Sequence, residues 1–209
     1  MTTSHGRWLA PLVLLVAGCG GGGDGDSDSE FPAPDCSLFT AASASPYVLP
    51  WHIGQAFEVN AHFVRDASIQ KYAYDIGMPI GTDILAMRAG TVVRVEESFI
   101  DGDNQPGHEN HVFVQHEDGT VARYAHLTNL GAMVQVGSLV QQGQPIGLSG
   151  NTGNSSAPHL HVDLTRGCCV VPPNYNEMPQ GETLPLSFSN ASPDASCGLR
   201  HRGRYTALP

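Results

Sequence analysis

Residues 150–164, GNTGNSSAPHLHVDL, are the stretch that decides the fold of this chain. They begin as a glycine- and serine-rich loop and end as a run of alternating polar and apolar residues, which predicts a β-strand. Residues two apart in a strand share a face, so His159 and His161 are expected side by side. The opposite face is expected to point into a core and consists of Leu160, Val162 and Leu164. Two adjacent imidazoles can serve one centre, because one can bind a metal ion while the other transfers protons.

The rest of the chain is divided by turn signals into short apolar runs. The segments that we predict as strands are 91–96, 111–116, 121–127, 133–136, 139–140 and a last edge strand at 184–190. No long amphipathic helical period follows residue 19. Strands this short and this regularly interrupted predict an all-β, antiparallel fold.

Two upstream motifs carry further groups suited to a metal centre. Residues 124–127 are YAHL and precede GQPIGLS at 143–149. Residues 72–75 are YAYD and precede GMPIGT at 77–82. Tyr124 and His126 lie two residues apart in YAHL, so strand alternation predicts that both line the same cleft.

In this order and spacing, the motifs resemble the LytM/lysostaphin-type zinc metallopeptidases of bacterial cell walls over residues 46–190. The resemblance implies a duplicated hybrid motif, a small antiparallel β-sandwich of the barrel-sandwich hybrid type, forming a single domain. It also implies a Zn²⁺-dependent endopeptidase that cuts peptide cross-links of peptidoglycan by means of a metal-activated water molecule. The bond that is cut stays open between a D-Ala to diaminopimelate link and polyglycine.

The resemblance assigns roles to individual residues of this chain. Asp75 and His161 are implied as zinc ligands, and His126 and His159 as the catalytic histidines that handle protons. Asp75 matches the aspartate that precedes the Met-Pro-x-Gly-Thr turn of the family.

The third ligand departs from the simplest family pattern, in which a histidine lies four residues before the aspartate. That position is Lys71 here. Relatives with the Tyr-Ala-x-Asp variant place the histidine further upstream, where this domain offers His62 and His52. We select His62 as the nearer one. Without it the site would hold zinc poorly, and the alternative function would be a degenerate module that binds the wall or activates cell-wall amidases.

The first 45 residues indicate export and anchoring. Residues 1–19 resemble a bacterial lipoprotein signal peptide, because the apolar run at 9–17 is too short to span a bilayer and VAGC ends in Cys19. The alternative is an ordinary signal peptide with a stray cysteine. Residues 20–45 predict a flexible linker rich in glycine, aspartate and serine. We therefore expect a lipid anchor on Cys19 that holds the protein on the periplasmic side of a membrane or at the cell surface.

Charge excludes two classes of partner. The formal net charge of the 209 residues is −10, with Lys71 as the sole lysine. Such a chain offers no phosphate-binding surface for nucleic acid and no polybasic patch for anionic lipid. We expect a monomer whose substrate is the wall peptide, and the existence of an accessory regulator is left open.

Four cysteines remain for disulfides once Cys19 is assigned to the anchor. Adjacent cysteines seldom pair with each other, so Cys36 and Cys197 are each predicted to pair with one of Cys168 and Cys169, in an order left open. Residues 191–209, which contain Cys197, are interpreted as a C-terminal tail.

A second group of histidines lies apart from these motifs, in and after a polar segment at 101–109 that predicts a surface loop. Its members are interpreted as structural or solvated and are His108, His111 and His116.

Overall fold

The structure is a computed structural model that describes Met1 and residues 34–64, 70–166 and 183–209. The chain divides into two units, residues 1–30 and 31–209, and the following description concerns the second. Nearly all of the predicted signal peptide, including Cys19, lies outside the described residues, as do residues 20–33 of the predicted linker. Among the described residues there is no helix long and apolar enough to cross a bilayer.

Short strands are the main regular secondary structure of the described unit. In chain order they are β1 (Ala56–Ala61), β2 (Tyr74–Gly77), β3 (Asp83–Leu85), β4 (Gly90–Glu96), β5 (His111–Gln115), β6 (Thr120–Ala125), β7 (Leu127–Ala132), β8 (Leu139–Val140), β9 (Pro145–Ser149), β10 (His159–Arg166), β11 (Ala191–Ser192) and β12 (Gly203–Ala207). Single 3-10 turns are found at Cys36–Leu38, Ala42–Ala44 and His62–Val64.

The strands form two antiparallel sheets. The larger sheet has nine strands in the order β11-β12-β1-β2-β10-β6-β5-β4-β8, and the smaller has the order β3-β9-β7. Every strand pair runs antiparallel. The predicted all-β, antiparallel fold is therefore confirmed.

Strand β10 is central because it pairs with β2 on one side and with β6 on the other. The three apolar residues predicted to point into the core are buried there, with exposures of 0% for Leu160, 0% for Val162 and 4% for Leu164. Full burial of each such side chain contributes about 1.5–3 kcal/mol to the free energy of folding. This burial fixes the register, since a slip of one residue would turn the apolar set away from the core and point the histidines into it.

Two predicted strands are wrong. Residues 133–136 form no strand, because the chain turns at Gly137, whose φ of +89° needs a glycine. Residues 184–190 form no strand, and Leu186, Ser187 and Phe188 are buried in succession rather than alternately. The hydroxyl groups of Ser187 and Ser189 instead donate to the carbonyl oxygens of residues 40 and 47.

The expected linker and tail boundaries also need correction. Residues 191–209 are not a tail beyond the domain, because β12 pairs with β1 and buries Tyr205 and Ala207. At the other end, Phe39 and Ala42 of the expected linker are buried as well. Alternate burial along 203–207 is the physical reason, since it gives β12 an apolar face for the core.

The predicted disulfide pairing is wrong for two cysteines. Cys36 and Cys197 are bonded to each other, across 161 residues of sequence. The segments around residues 36 and 197 meet beside β2, where Gly198 lies against Tyr74 and Phe39. Cys168 and Cys169 lie outside the described residues.

The second group of histidines is built into the sheet rather than into a metal centre. His111 and His116 are buried, and their Nδ1 atoms donate to the carbonyl oxygens of Glu109 and Ala89, respectively. His108 is half-buried and bonded to Asp103. The interpretation as structural groups agrees with these contacts.

Acid is expected to destabilise the fold through His111, which is 2% exposed and stacks on Phe113. Burial lowers the pKa of His111 from 6.5 to about 4. Between these values the unfolded chain binds a proton that the folded chain does not. The free energy of unfolding should therefore fall by about 2 kcal/mol between pH 7 and pH 5. Urea titrations at both pH values would measure the loss.

His111→Phe keeps a stacked ring but cannot titrate. Its free energy of unfolding is expected to fall by about 2 kcal/mol less than that of the natural protein over the same pH interval. Equal losses in both proteins would contradict the assignment to His111.

Candidate metal centre

Three neighbouring strands bring the predicted ligands to one place. In the pairing of β2 with β10, Asp75 lies directly opposite His161. In the pairing of β1 with β2, Asn60 lies opposite Asp75, and His62 follows at the end of β1 with its N–H donating to the carbonyl oxygen of Ala73. The sheet register alone thus places His62, Asp75 and His161 side by side.

The side chains of these residues converge on a single point. The Oδ2 atom of Asp75 lies 2.8 Å from Nε2 of His62, and its Oδ1 atom lies 2.9 Å from Nδ1 of His161. One ligand atom from each residue lies within 4.8 Å of the other two. Two imidazole nitrogens and a carboxylate are a donor set that zinc accepts, and three protein ligands leave a fourth position open, as catalytic zinc sites do.

The charges around His161 also fit a bound cation. Burial alone would lower the pKa of His161, but its bonds to Asp163 and Asp75 raise the pKa to about 9. Burial alone would raise the pKa of Asp75, but hydrogen bonds from His161 and His62 hold it far below its usual value. Two carboxylates that together favour a positive charge on this imidazole would equally favour a metal ion there.

His126 and His159 lie next to this group. Their ring centroids are 4.4 Å apart, and Nε2 of His159 is 3.7 Å from Oδ1 of Asp75. Nδ1 of His126 donates to the carbonyl oxygen of Thr152 at 2.7 Å, and Nδ1 of His159 to that of Ala157 at 2.8 Å. A neutral imidazole that donates through Nδ1 has an unprotonated Nε2, so each histidine keeps one basic nitrogen.

Both histidines are held neutral by their surroundings. Burial, with the neighbouring histidines, lowers the pKa of His126 to about 3. Burial also lowers the pKa of His159, against an opposing effect of Asp75. At pH 7 each imidazole is therefore neutral and keeps one unprotonated nitrogen, which a general base beside a metal ion requires.

The prediction that Tyr124 lines the cleft is wrong. Tyr124 is fully buried in the core, where its hydroxyl accepts a hydrogen bond from the N–H of Met87. Strand β6 ends at Ala125, and His126 has a φ of +62°, so the alternation stops before the histidine. The left-handed backbone turns the His126 side chain out of the face that alternation predicts. Non-glycine residues in this conformation are often found at functional sites.

Asp163 and Arg123 support the centre and were missed in the sequence. Nε2 of His161 lies 3.2 Å from Oδ2 of Asp163, so Asp163 fixes the ring while Nδ1 faces the other ligands. Arg123 makes a two-pronged salt bridge with Asp163, directly opposite it in the pairing of β6 with β10. Asp163 is fully buried, so its charge depends on this partner. The sequence did offer one indication of the role of Asp163, because this residue follows His161 by two positions and so shares its strand face.

Asp163→Asn is expected to raise the zinc dissociation constant 10- to 100-fold (an order-of-magnitude range), because the imidazole loses its orienting carboxylate. The free energy of unfolding should fall by about 3 kcal/mol, since the buried salt bridge between Asp163 and Arg123 is broken. Zinc titration against a chelator and urea unfolding measure the two effects.

Asp83→Asn is the matched control for this change. Asp83 pairs with His52 at 2.9 Å, and both side chains are more than a third exposed. The control should lose under about 1 kcal/mol and keep its zinc affinity. Equal zinc affinity in Asp163→Asn and Asp83→Asn would remove the supporting role.

The polar loop predicted at 101–109 holds the glycine- and serine-rich loop in place. Oδ1 of Asp101 accepts the N–H of Asn151 at 2.6 Å, and Oδ1 of Asp103 accepts that of Gly153 at 3.1 Å. Oε1 of Glu109 accepts the N–H of residue 154 at 3.1 Å. Carboxylates of one loop thereby position the loop that carries the hydrogen-bond partners of both catalytic candidates.

Comparisons with known proteins give the following matches. The sequence model of Peptidase family M23 matches residues 70–173. Peptidoglycan DD-endopeptidase ShyA of Vibrio cholerae serotype O1 is 36% identical over 129 residues, 61% of this chain and 28% of ShyA. Lysostaphin of Staphylococcus simulans is 39% identical over 90 residues, 43% of this chain and 17% of lysostaphin.

Among solved structures, the crystallised catalytic domain of Staphylococcus simulans lysostaphin is 25% identical, with a TM-score of 0.41. The match covers 71% of this chain and 93% of that domain. The chain spans less than a third of the length of the curated relatives named above.

Proposed function

This chain belongs to peptidase family M23, and on that premise we propose that it is a zinc-dependent endopeptidase that hydrolyses peptide cross-links of bacterial peptidoglycan. One observation carries the proposal: His62, Asp75 and His161 meet within 4.8 Å, beside two further histidines in the same pocket. The substrate class is supported by the name of ShyA, a peptidoglycan DD-endopeptidase.

In this proposal, zinc would be held by Nε2 of His62, a carboxylate oxygen of Asp75 and Nδ1 of His161. Bound there, zinc supplies a Lewis acid that polarises the scissile carbonyl and lowers the pKa of water. The protein residues orient this centre through Asp163, which holds the far nitrogen of His161. Because these donors come from adjacent strands of one sheet, their separations are set by backbone hydrogen bonds rather than by loops.

Protons are handled by His159 and His126. Each has its Nδ1 bonded to a backbone carbonyl oxygen, so Nε2 is the atom that accepts a proton from the attacking water. The water oxygen forms a bond to the amide carbon, the carbon–nitrogen bond breaks, and the proton passes from imidazole to the leaving amine. While it carries the proton taken from water, the positively charged imidazole can also stabilise the carbonyl oxygen on which negative charge develops.

The location of the protein follows from the substrate. A wall hydrolase must act outside the cytoplasm, which agrees with the signal-peptide pattern of residues 1–19 and the proposed acylation of Cys19. The Cys36–Cys197 disulfide supports this location, since such bonds persist in oxidising compartments.

Release of peptide fragments from purified sacculi tests the function. The protein with one equivalent of zinc should solubilise cross-linked material, chelation should stop the release, and added zinc should restore it. Sacculi with direct D-Ala to diaminopimelate links and sacculi with polyglycine bridges would show which bond is cut. A folded protein that holds zinc but releases nothing from either would contradict the proposal.

A further inference from the structure

Ser155 lies in the pocket of the metal centre, with its hydroxyl group against the imidazole of His159. Its Oγ atom is 3.1 Å from Nδ1 of His159 and 2.7 Å from Oδ1 of Asn151. The carbonyl oxygen of Ala157 lies 2.8 Å from the same Nδ1. Two oxygen atoms of one loop therefore meet this ring nitrogen, one from the backbone and one from a side chain that is only 6% exposed.

The direction of the serine hydroxyl decides what Ser155 offers to His159. A hydroxyl group has one proton to donate and two lone pairs to accept with. Its nearest acceptors are Oδ1 of Asn151 at 2.7 Å and the carbonyl oxygen of Ala157 at 2.9 Å. A proton directed to either oxygen leaves a lone pair of Oγ facing the imidazole. Ser155 therefore accepts from Nδ1 of His159, which shares its N–H between Oγ and the backbone carbonyl.

Asn151 is itself held by the polar loop at 101–109. Its N–H donates to Oδ1 of Asp101 at 2.6 Å, and its carbonyl oxygen accepts the N–H of Gly102 at 2.9 Å. Two backbone hydrogen bonds thus fix the residue whose carboxamide oxygen is the nearest acceptor for the Ser155 hydroxyl. The contacts run without a break from the polar loop through Asn151 and Ser155 to His159.

The other nitrogen of His159 faces the metal ligands. Nε2 lies 3.7 Å from Oδ1 of Asp75, and the His159 side chain is 17% exposed, so it can be reached from the pocket. An imidazole that keeps its proton on Nδ1 has Nε2 free to accept another. The acceptors on the Nδ1 side therefore set both the orientation of the ring and the nitrogen that is protonated.

We propose that Ser155 is a positioning residue which, held by Asn151, fixes the ring and the protonated nitrogen of His159 for proton transfer. The inference rests on the proposed function and adds two residues to its site. Ser155 acts through His159 and not on the reacting atoms. Its loss should therefore slow the proton-transfer step and leave the binding of zinc and of the wall peptide unchanged.

Hydrolysis of cross-linked peptide dimers from sacculi tests the role of the hydroxyl group. Ser155→Ala should lower kcat on the order of tenfold, with KM and zinc content unchanged, because one acceptor of the Nδ1 proton is lost. Ser155→Thr keeps a hydroxyl group and should recover most of kcat. Ser155→Val has the shape of Ser155→Thr without the hydroxyl group and should recover none.

Ser98→Ala is the matched control. It removes an exposed serine hydroxyl that donates to Glu96 at 2.6 Å, outside the residues that line the pocket, and should leave kcat unchanged. Asn151→Ala tests the preceding contact and should lower kcat about threefold. Adding Asn151→Ala to Ser155→Ala should cause no further loss, since Asn151 acts through the hydroxyl group.

Exchange of the His159 Nδ1 proton with water gives a readout separate from turnover. Nuclear magnetic resonance of the zinc-loaded protein, with isotope-labelled histidine, should find the proton of His159 on Nδ1. Ser155→Ala should speed its exchange on the order of fivefold, the effect of one lost hydrogen bond. His116 is the internal reference, because its Nδ1 donates to a backbone carbonyl oxygen far from Ser155 in sequence.

Unchanged exchange of this proton in Ser155→Ala, or equal kcat in Ser155→Thr and Ser155→Val, would overturn the inference. Failure of the proposed function looks different. In that case neither the natural protein nor any variant cleaves the dimers, yet Ser155→Ala still speeds the exchange of the His159 Nδ1 proton.

Discussion

His62→Ala is expected to lose bound zinc and hydrolytic activity together. Removing one of three ligands should weaken zinc binding by on the order of 1,000-fold, or about 4 kcal/mol, because two donors cannot enclose the ion. Activity at limiting zinc should fall at least as far. Metal analysis after dialysis, combined with fragment release from sacculi, measures both quantities on the same sample.

His52→Ala is the matched control, since His52 is the other upstream histidine considered as a ligand. It pairs with Asp83 at 2.9 Å in an exposed position and is not among the residues that line the site. The control should retain zinc and activity. Stoichiometric zinc and undiminished activity in His62→Ala would show that His62 is not a ligand, whereas a natural protein without zinc or activity would favour the degenerate wall-binding module.

His62 was harder to identify from the sequence than the other two predicted ligands. His161 lies in an alternating run that predicts its strand and face. The motif around Asp75 resembles the family's aspartate before a turn, and that resemblance implies its role. His62 lies 13 residues before Asp75, and no local pattern connects them. They meet because β1 pairs with β2 and sets Ala61 opposite Tyr74. Strand pairing of this kind depends on tertiary contacts.

The residues that support the metal centre were missed in the sequence for the same reason. Alternation alone places Asp163 on the face of His161, but the salt bridge to Arg123 depends on the register between β6 and β10. The packing of Glu109 against the glycine- and serine-rich loop depends on how loop 101–109 folds over Gly153. Local periodicity gives the face of a side chain, whereas its partners follow from register and loop geometry.

The errors at the chain ends have a similar origin. Residues 203–207 form a short segment that follows Arg200 and Arg202 and contains Arg204, so their sequence suggests a solvated segment. They become a strand because β1 offers an unpaired edge, which a sheet must cover or blunt. The Cys36–Cys197 bond likewise reflects where the two ends meet, which cysteine spacing does not encode.

His159→Ala and His126→Ala are expected to separate chemistry from metal binding. Neither residue belongs to the group of three ligands, so each variant should retain one zinc ion per chain. Each should nevertheless lose about 100- to 10,000-fold in kcat, the usual contribution of a positioned acid or base. Inductively coupled plasma analysis of zinc, beside single-turnover release of peptide fragments, would measure the two effects.

The combined variant tests whether the two histidines act as a unit. Their rings are 4.4 Å apart, so each can assist the same proton transfer. If they share one step, the double variant should be little slower than the slower single variant, because residues that act together are not additive. Independent roles would instead multiply the losses. Retention of full activity in the combined variant would exclude proton transfer by either imidazole, whereas loss of zinc from a single variant would make that histidine a ligand.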